Sequence, residues 1–369
     1  MCDHLKRFRC IQKGLLKCAP VLSMGNRRRH FQTLVHLING IIGTQSCHLS
    51  KIASKVADTR QHESRVRQFM RWLSNDRIGL GLYYFPFISH ILQCLAHQGS
   101  ITLIFDASEM GRNCLCLKAS VYYRHRALPI AWIVRKGHKG HFSEHWHIAL
   151  LRRVYPLIPQ GVQVVFLGDG EFDNSQLLSL VKSFGWLFAV RIAKNRILCE
   201  NGQPFKPKHI DVAQDGYYEV PHVTLKNQPE VGTMHLLVYW NKKYKEPLYL
   251  VTNIEPTPEA YYWYKKRFAI EVLFSDEKSR GFHIHKSRIS DPQRLERLII
   301  AVALAYIWII YLGALALEKD IVKFIHRTKR CDLGLFQPGL RTMAWFLNQS
   351  KSIPPLQLNL FISIPKSVR

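Results

Sequence analysis

Twenty consecutive residues without a charge, Leu298 to Leu317 (LIIAVALAYIWIIYLGALAL), constrain this chain more than any other feature. A stretch of that length either crosses a bilayer or forms a helix surrounded by protein on every side. Arg294 and Arg297 precede it, and Glu318, Lys319 and Asp320 follow it. A single span after a charged amphipathic segment, in an otherwise soluble and basic chain, makes little physical sense. The expectation is a fully buried helix at the centre of a large core, with no membrane partner.

A core of that size is affordable here. The chain has 369 residues, 47% of them hydrophobic, enough for two or three domains and too apolar for disorder. Its charge is lopsided: 52 Lys and Arg stand against 26 Asp and Glu, giving a net charge of +26 and a pI near 9.9. A folded chain with that excess repels itself, which points to a polyanionic partner. The basic residues run along the whole length, which favours nucleic acid over a membrane surface. The nine cysteines are scattered. Cys2, Cys10 and Cys18 fit no common zinc spacing, and Cys114 and Cys116 alternate along a strand-like segment, so all are read as reduced thiols. The N-terminus, MCDHLKRFRCIQKG, lacks the apolar run of a secretory signal. A cytoplasmic location follows as the expectation.

Up to Gly99 the pattern is helical, as in FQTLVHLINGII and ESRVRQFMRWL. The segment HLSKIASKVADTRQHESRVRQFMRWL has the rhythm of a helix-turn-helix, with Ser50 as a cap, Ala57-Asp58-Thr59 as the turn and a basic second helix after it. Arg60, Arg65, Arg67 and Arg71 would then face DNA. A plain helical hairpin with a basic solvated face explains the segment equally well. From Ser100 the texture changes. ITLIFD, CLCLKASVYY and LPIAWIVRK read as strands, HWHIALLRRVYPLI as a helix and VQVVFLGDG as a buried strand. NSQLLSLVKSFGW then reads as a helix and LFAVRIA as a strand. Three antiparallel strands followed by parallel crossovers give a ribonuclease-H-like mixed sheet with helices on its faces. Short strands at about 195–255 read as a β-rich insertion, and Pro256 and Pro258 introduce one helix from about Glu259 to Gly281. The expected organisation is thus α/β: an all-helical DNA-binding domain (1–99), a ribonuclease-H-like catalytic domain (100–335) and a C-terminal segment (336–369).

Asp106 closes the first strand of this sheet and Asp169 the fourth, where neighbouring strand ends open onto one crevice. Paired carboxylates suit hard divalent cations and in-line phosphoryl transfer. Alone, the pair is weak. It gains weight from YKKRFAIEVLFSDEK, which carries Tyr264, Arg267, Glu271 and Lys278 in the pattern Y-x2-R-x3-E-x6-K. On a continuous helix these four fall within an arc of roughly 60°, presenting an acid, two cations and an aromatic hydroxyl together. Chance yields the pattern on the order of once in several hundred chains of this length, so a merely solvated, salt-bridged face is the poorer explanation. Asp173, Glu109 and Asp276 are lesser rivals as acids, Asp173 being better placed to cap the helix near Asn174. His138, His141, His145 and His147 lack a second ligand group at zinc spacing and read as surface or DNA contact. His283 and His285 suit phosphate contact.

That spacing resembles the YREK group of bacterial insertion-sequence DDE transposases, the IS-four family. LIFDAS is similar to the family's first-Asp strand, LGDGEFD to its second-Asp motif, and the insertion before Glu271 to another of its traits. The likeness covers about Ser100 to Gly313 well. It implies that Asp106, Asp169 and Glu271 bind two Mg2+ ions, with Mn2+ as a substitute. It implies that Tyr264, Arg267 and Lys278 hold phosphates at the element end, around a flipped base. It also implies cut-and-paste transposition through a hairpin at inverted-repeat ends, joining to target DNA, and a homodimer in the synaptic complex near the bacterial nucleoid. Two departures stand out. Gly170 replaces an expected Arg, for which Arg191 or Lys194 could substitute. The insertion's last strand lacks a Trp, leaving Tyr249, or Trp240 one strand earlier, for base stacking. A nuclease of the same fold is the second reading, and a non-catalytic DNA-binding derivative the third.

Overall fold

The computed structural model describes residues 3–56, 58–138, 141–327 and 333–356. Six helices come first: α1 (Asp3–Cys18), α2 (Arg27–Thr44), α3 (Leu49–Ala53), α4 (His62–Ser74), α5 (Leu80–Tyr83) and α6 (Phe85–Ala96). Where the sequence suggested a helix-turn-helix, Ala57 of the expected turn lies outside the described residues, and the first helix, α3, has only five residues. His48 rather than Ser50 is its N-cap, and the Ser50 hydroxyl instead meets His62 at 3.0 Å.

Strands β1 (Ser100–Gly111), β2 (Cys114–Tyr123) and β3 (Arg126–Lys136) follow as an antiparallel meander. Then come α7 (Glu144–Val154), β4 (Gln163–Gly168), α8 (Ser175–Ser183) and β5 (Leu187–Arg191). Strand β4 lies parallel to β1, and β5 parallel to β4. The order β3-β2-β1-β4-β5 is the expected mixed layout. The β-rich stretch holds β6 (Leu198–Glu200), β7 (Gln203–Phe205), β8 (Tyr217–Leu225), β9 (Met234–Tyr239) and β10 (Leu248–Thr252). It does not form a sheet of its own. Strand β10 pairs antiparallel with β5, so the described strands make one ten-stranded sheet, continuing β5-β10-β9-β8-β6-β7. Unpaired backbone groups on an edge strand favour such continuation.

The chain closes with α9 (Glu259–Tyr264), α10 (Ala269–Glu277), α11 (Pro292–Glu318), α12 (Val322–Ile325) and α13 (Phe336–Asn348). Helix α11 carries the uncharged run, and every residue from Leu298 to Ala316 is buried. Pro292 stands in its first turn, and Asp291 caps it by accepting from the Arg294 N–H at 2.8 Å. It packs against α2, α4 and α5 on one side and against β3 and α13 on others. Its polar first turns are used as ties. Arg297 donates to the carbonyls of Leu73 (2.9 Å) and Ile78 (3.1 Å), while the Glu296 carbonyl accepts from the Trp132 indole at 3.1 Å. The N-terminal helices and the sheet therefore share one hydrophobic cluster around α11. The seven described cysteines are all free thiols.

Helices α11 and α13 cross backbone against backbone. A Cβ on Gly339 would stand 1.9 Å from the Ile309 carbonyl oxygen, and one on Gly313 2.0 Å from that of Leu335. Gly339→Val should therefore push α13 off the core helix at a cost of about 3 kcal/mol. A lowered urea midpoint without change in slope would report it.

Candidate active site

Strand β1 does not stop at Asp106, as the sequence suggested, but runs on to Gly111 in register with β2. What ends there is its parallel neighbour. The last β1–β4 partners are Ile104 and Leu167, and Asp169 follows the final residue of β4. Both aspartates therefore stand where β4 turns out of the sheet. That turn is tight: a Cβ on Gly168 would lie 2.6 Å from the Phe172 Cβ. The Asp169 carboxylate accepts from the Glu171 N–H at 3.0 Å, and its carbonyl from the Phe172 N–H at 3.0 Å.

The expected single helix from Glu259 to Gly281 is broken. Between α9 and α10 the residues Lys265–Phe268 form a 3-10 turn, and Lys278 lies beyond α10 in a non-helical conformation. The four motif residues consequently do not share one helical arc. Residues i and i+3 eclipse in a 3-10 turn, and Arg267 lies over the Tyr264 ring at 5.8 Å. In the α-helical turn that follows, Arg267 reaches Glu271 at i+4, with Nη2 to Oε1 at 2.5 Å, while its Nη1 meets Asp106 Oδ2 at 3.3 Å. One guanidinium thus bridges the first and third acids.

Burial pushes the Asp106 carboxyl up to about 7; Arg267 opposes the shift, the Asp169 and Glu271 charges add to it, and the Ala107 N–H opposes it again. Burial also raises the Tyr264 hydroxyl. Burial disfavours charge on Arg267, yet Tyr264, Asp106, Glu271 and Asp169 together hold it more firmly protonated. The site is therefore a partly buried acid cluster whose charge one internal cation offsets in part. Among the described residues, no group of three or more His, Cys, Asp or Glu is arranged to hold a metal ion. The donor set is still the hard-oxygen set that Mg2+ and Mn2+ take.

Lys278 donates to the Ser108 hydroxyl at 2.5 Å, two residues along β1 from Asp106. Arg191 ends β5, exposed, and Lys194 pairs with Glu246 at 2.7 Å. Tyr249 is buried in β10, whereas Trp240 is half-buried and donates its indole N–H to the Tyr244 carbonyl at 3.0 Å. On the N-terminal helices, Arg60 and Arg65 both pair with Asp58, and Arg67 is exposed on α4. Among the rival acids, Asp276 pairs with Arg126, Glu109 is exposed, and Asp173 lies 3.9 Å from Arg196. Asn174, not Asp173, caps α8. His147 is buried rather than on the surface.

Several contributors escaped the sequence reading. Glu171 holds His147 at 3.2 Å, His141 at 3.3 Å and the Phe142 N–H at 2.7 Å, anchoring the loop before α7 beside Asp169. These partners lower its carboxyl although burial opposes them. Its place two residues after Asp169 was visible; its contacts, from another segment, were not. Lys118 and Glu277 form a wholly buried ion pair. The only signal was a run of three ionisable residues, Asp276, Glu277 and Lys278, at the end of YKKRFAIEVLFSDEK.

Residues 102–308, more than half of the chain and including all three acids, match the family described as the transposase DDE domain. No curated protein sequence matches the chain. Among solved structures, it is similar to the cryo-EM structure of the piggyBac transposase synaptic complex with hairpin DNA. That likeness has 12% identity and a TM-score of 0.47, and covers 100% of this chain and 86% of the other.

A divalent cation competes with the proton on Asp106. Mn2+ affinity of the free protein should rise with pH below about 7, by about tenfold per pH unit at most, and level off above it. Calorimetric titration across that range checks this, and Asp106→Asn should abolish the pH dependence.

Proposed function

The chain belongs to the transposase DDE domain family, and from that premise we propose that it cuts DNA at the ends of a mobile element and joins them to target DNA. The observation that carries this reading is that Asp106 and Glu271, from β1 and α10, share the Arg267 guanidinium, with Asp169 at the adjoining end of β4. Acids at such separations in sequence gain nothing structurally from proximity; a cation-dependent reaction needs it. Once Arg267 releases them, the three carboxylates would hold two Mg2+ ions, for which Mn2+ would substitute. Bound there, the ions supply activation of the attacking oxygen and neutralisation of the leaving one.

The chain's own residues then have distinct tasks. Arg267 leaves the carboxylates for a phosphate of the bound strand, where its planar fork fits two oxygens. Lys278, held beside Asp106 by Ser108, takes a neighbouring phosphate, and Tyr264 completes that wall. The net charge of +26 draws the duplex in. Exposed cations such as Arg67 and Arg191 extend the contact, with Arg60, Arg65 and Lys194 joining once they exchange their acidic partners for phosphate. Trp240, and Tyr249 after rearrangement, are the candidates for stacking on an unpaired base. The YREK spacing supports assignment to the bacterial insertion-sequence group, with a homodimer pairing two element ends in the cytoplasm.

Mixed with Mg2+ and duplex bearing its element's ends, the wild-type protein should nick at the ends, and hairpin or joined products should follow. Glu271→Ala should bind equally but cut about a thousandfold more slowly. Nicked DNA without joining would make the protein a nuclease. Shifted but uncut DNA with both proteins would overturn catalysis.

A further inference from the structure

We propose that Lys118 and Glu277 are positioning residues: their buried ion pair sets where Glu271 stands above β1, and so assembles the acid triad. This inference rests on the catalytic reading above.

The geometry begins in the sheet. Asp106 on β1 and Lys118 on β2 are direct cross-strand partners, so their side chains rise from the same face, side by side. The Lys118 ammonium meets both oxygens of Glu277, at 2.7 and 2.5 Å, with both side chains wholly buried. Glu277 ends α10, the helix whose first turn carries Glu271. One end of α10 is thereby pinned to the residue beside Asp106, and its other end presents Glu271 to Asp106 through Arg267.

Its sequence neighbours repeat the device on adjacent strands. Asp276 pairs with Arg126 at the start of β3 at 3.1 Å, and Lys278 reaches Ser108 on β1 at 2.5 Å. Three successive residues therefore fasten to β3, β2 and β1 in order. The Phe274 ring is near both ammonium groups, 5.5 Å from that of Lys118 and 5.8 Å from that of Lys278.

Energy alone does not account for the pair. A buried ion pair contributes little stability beyond well-packed apolar side chains of similar volume. What it adds is direction, because a carboxylate and an ammonium meet in few geometries while apolar surfaces slide. The remaining buried contacts of α10, among them Ile270 and Leu273, are apolar and leave its register on the sheet less determined.

The test is the double variant Lys118→Met with Glu277→Leu, which replaces the pair by apolar side chains. It should melt at or above the wild-type temperature and bind element-end DNA unchanged. Its Mn2+ affinity and nicking rate should each fall by about tenfold or more, the scale of losing a residue that orients a metal ligand. A double variant that binds Mn2+ and nicks like wild type would overturn the proposal. Should that variant fail to fold, Asp276→Asn, which keeps the shape of the neighbouring contact, serves instead. Measured well below its melting temperature, which the loss of a charged partner for Arg126 should lower, it should bind Mn2+ severalfold more weakly, and unchanged Mn2+ binding would count against the clasp. A wild-type protein that neither binds Mn2+ nor nicks would sink the catalytic reading instead, so the two failures are distinguishable.

Discussion

A helix that is apolar on every side cannot lie on a surface, and the arrangement of this protein follows from enclosing one. Helix α11 needs neighbours around its whole circumference, and no single layer can supply them. The chain provides them from segments far apart in sequence: α2 and α4 from its beginning, β3 from the sheet, α13 from its end. The N-terminal helices are therefore part of the same core as the sheet that carries the acids. The close crossing at Gly313 and Gly339 shows how little room that enclosure leaves.

On the opposite scale, the acid cluster is a place where local energetics are unfavourable and have to be overridden. Asp106 is buried beside two like charges, and its carboxyl is held near neutrality as a result. Arg267 relieves part of that cost. The rest is carried by rigid surroundings: a β-ladder under Asp106, a turn closed on Gly168 after Asp169, and α10 seated by charged contacts under Glu271. A site of this kind is preorganised by its scaffold, and the repulsion that remains is one that a bound cation would relieve.

Much of the α/β order was legible because period-two and helical patterns are local properties. The candidate acids were picked out by strand endings and by a spacing, also local. Failures came where long-range pairing decides. Strand β1 continues past Asp106 because β2 pairs with it there, and only that partner could reveal it. The YREK segment was read as one helix because its composition contains no breaker; the 3-10 turn at Lys265–Phe268 places Arg267 against Asp106 on another element. The insertion read correctly as strands, yet nothing in β10 announced that β5 was its partner. Likewise Lys118 carries no local mark, since a lysine in a strand ordinarily reads as solvent-facing.

Joining the insertion to the main sheet by hydrogen bonds also governs how it is aimed. Neighbouring strands rotate by about 20–25° on average. The far edge, β7, thus inherits its angle from every strand between it and β5. Loop lengths have little say in this. Adding or deleting one hairpin would swing the tip by about 45°, so the orientation of this arm comes in discrete steps. Relatives of different insertion size should differ in aim as well as in reach.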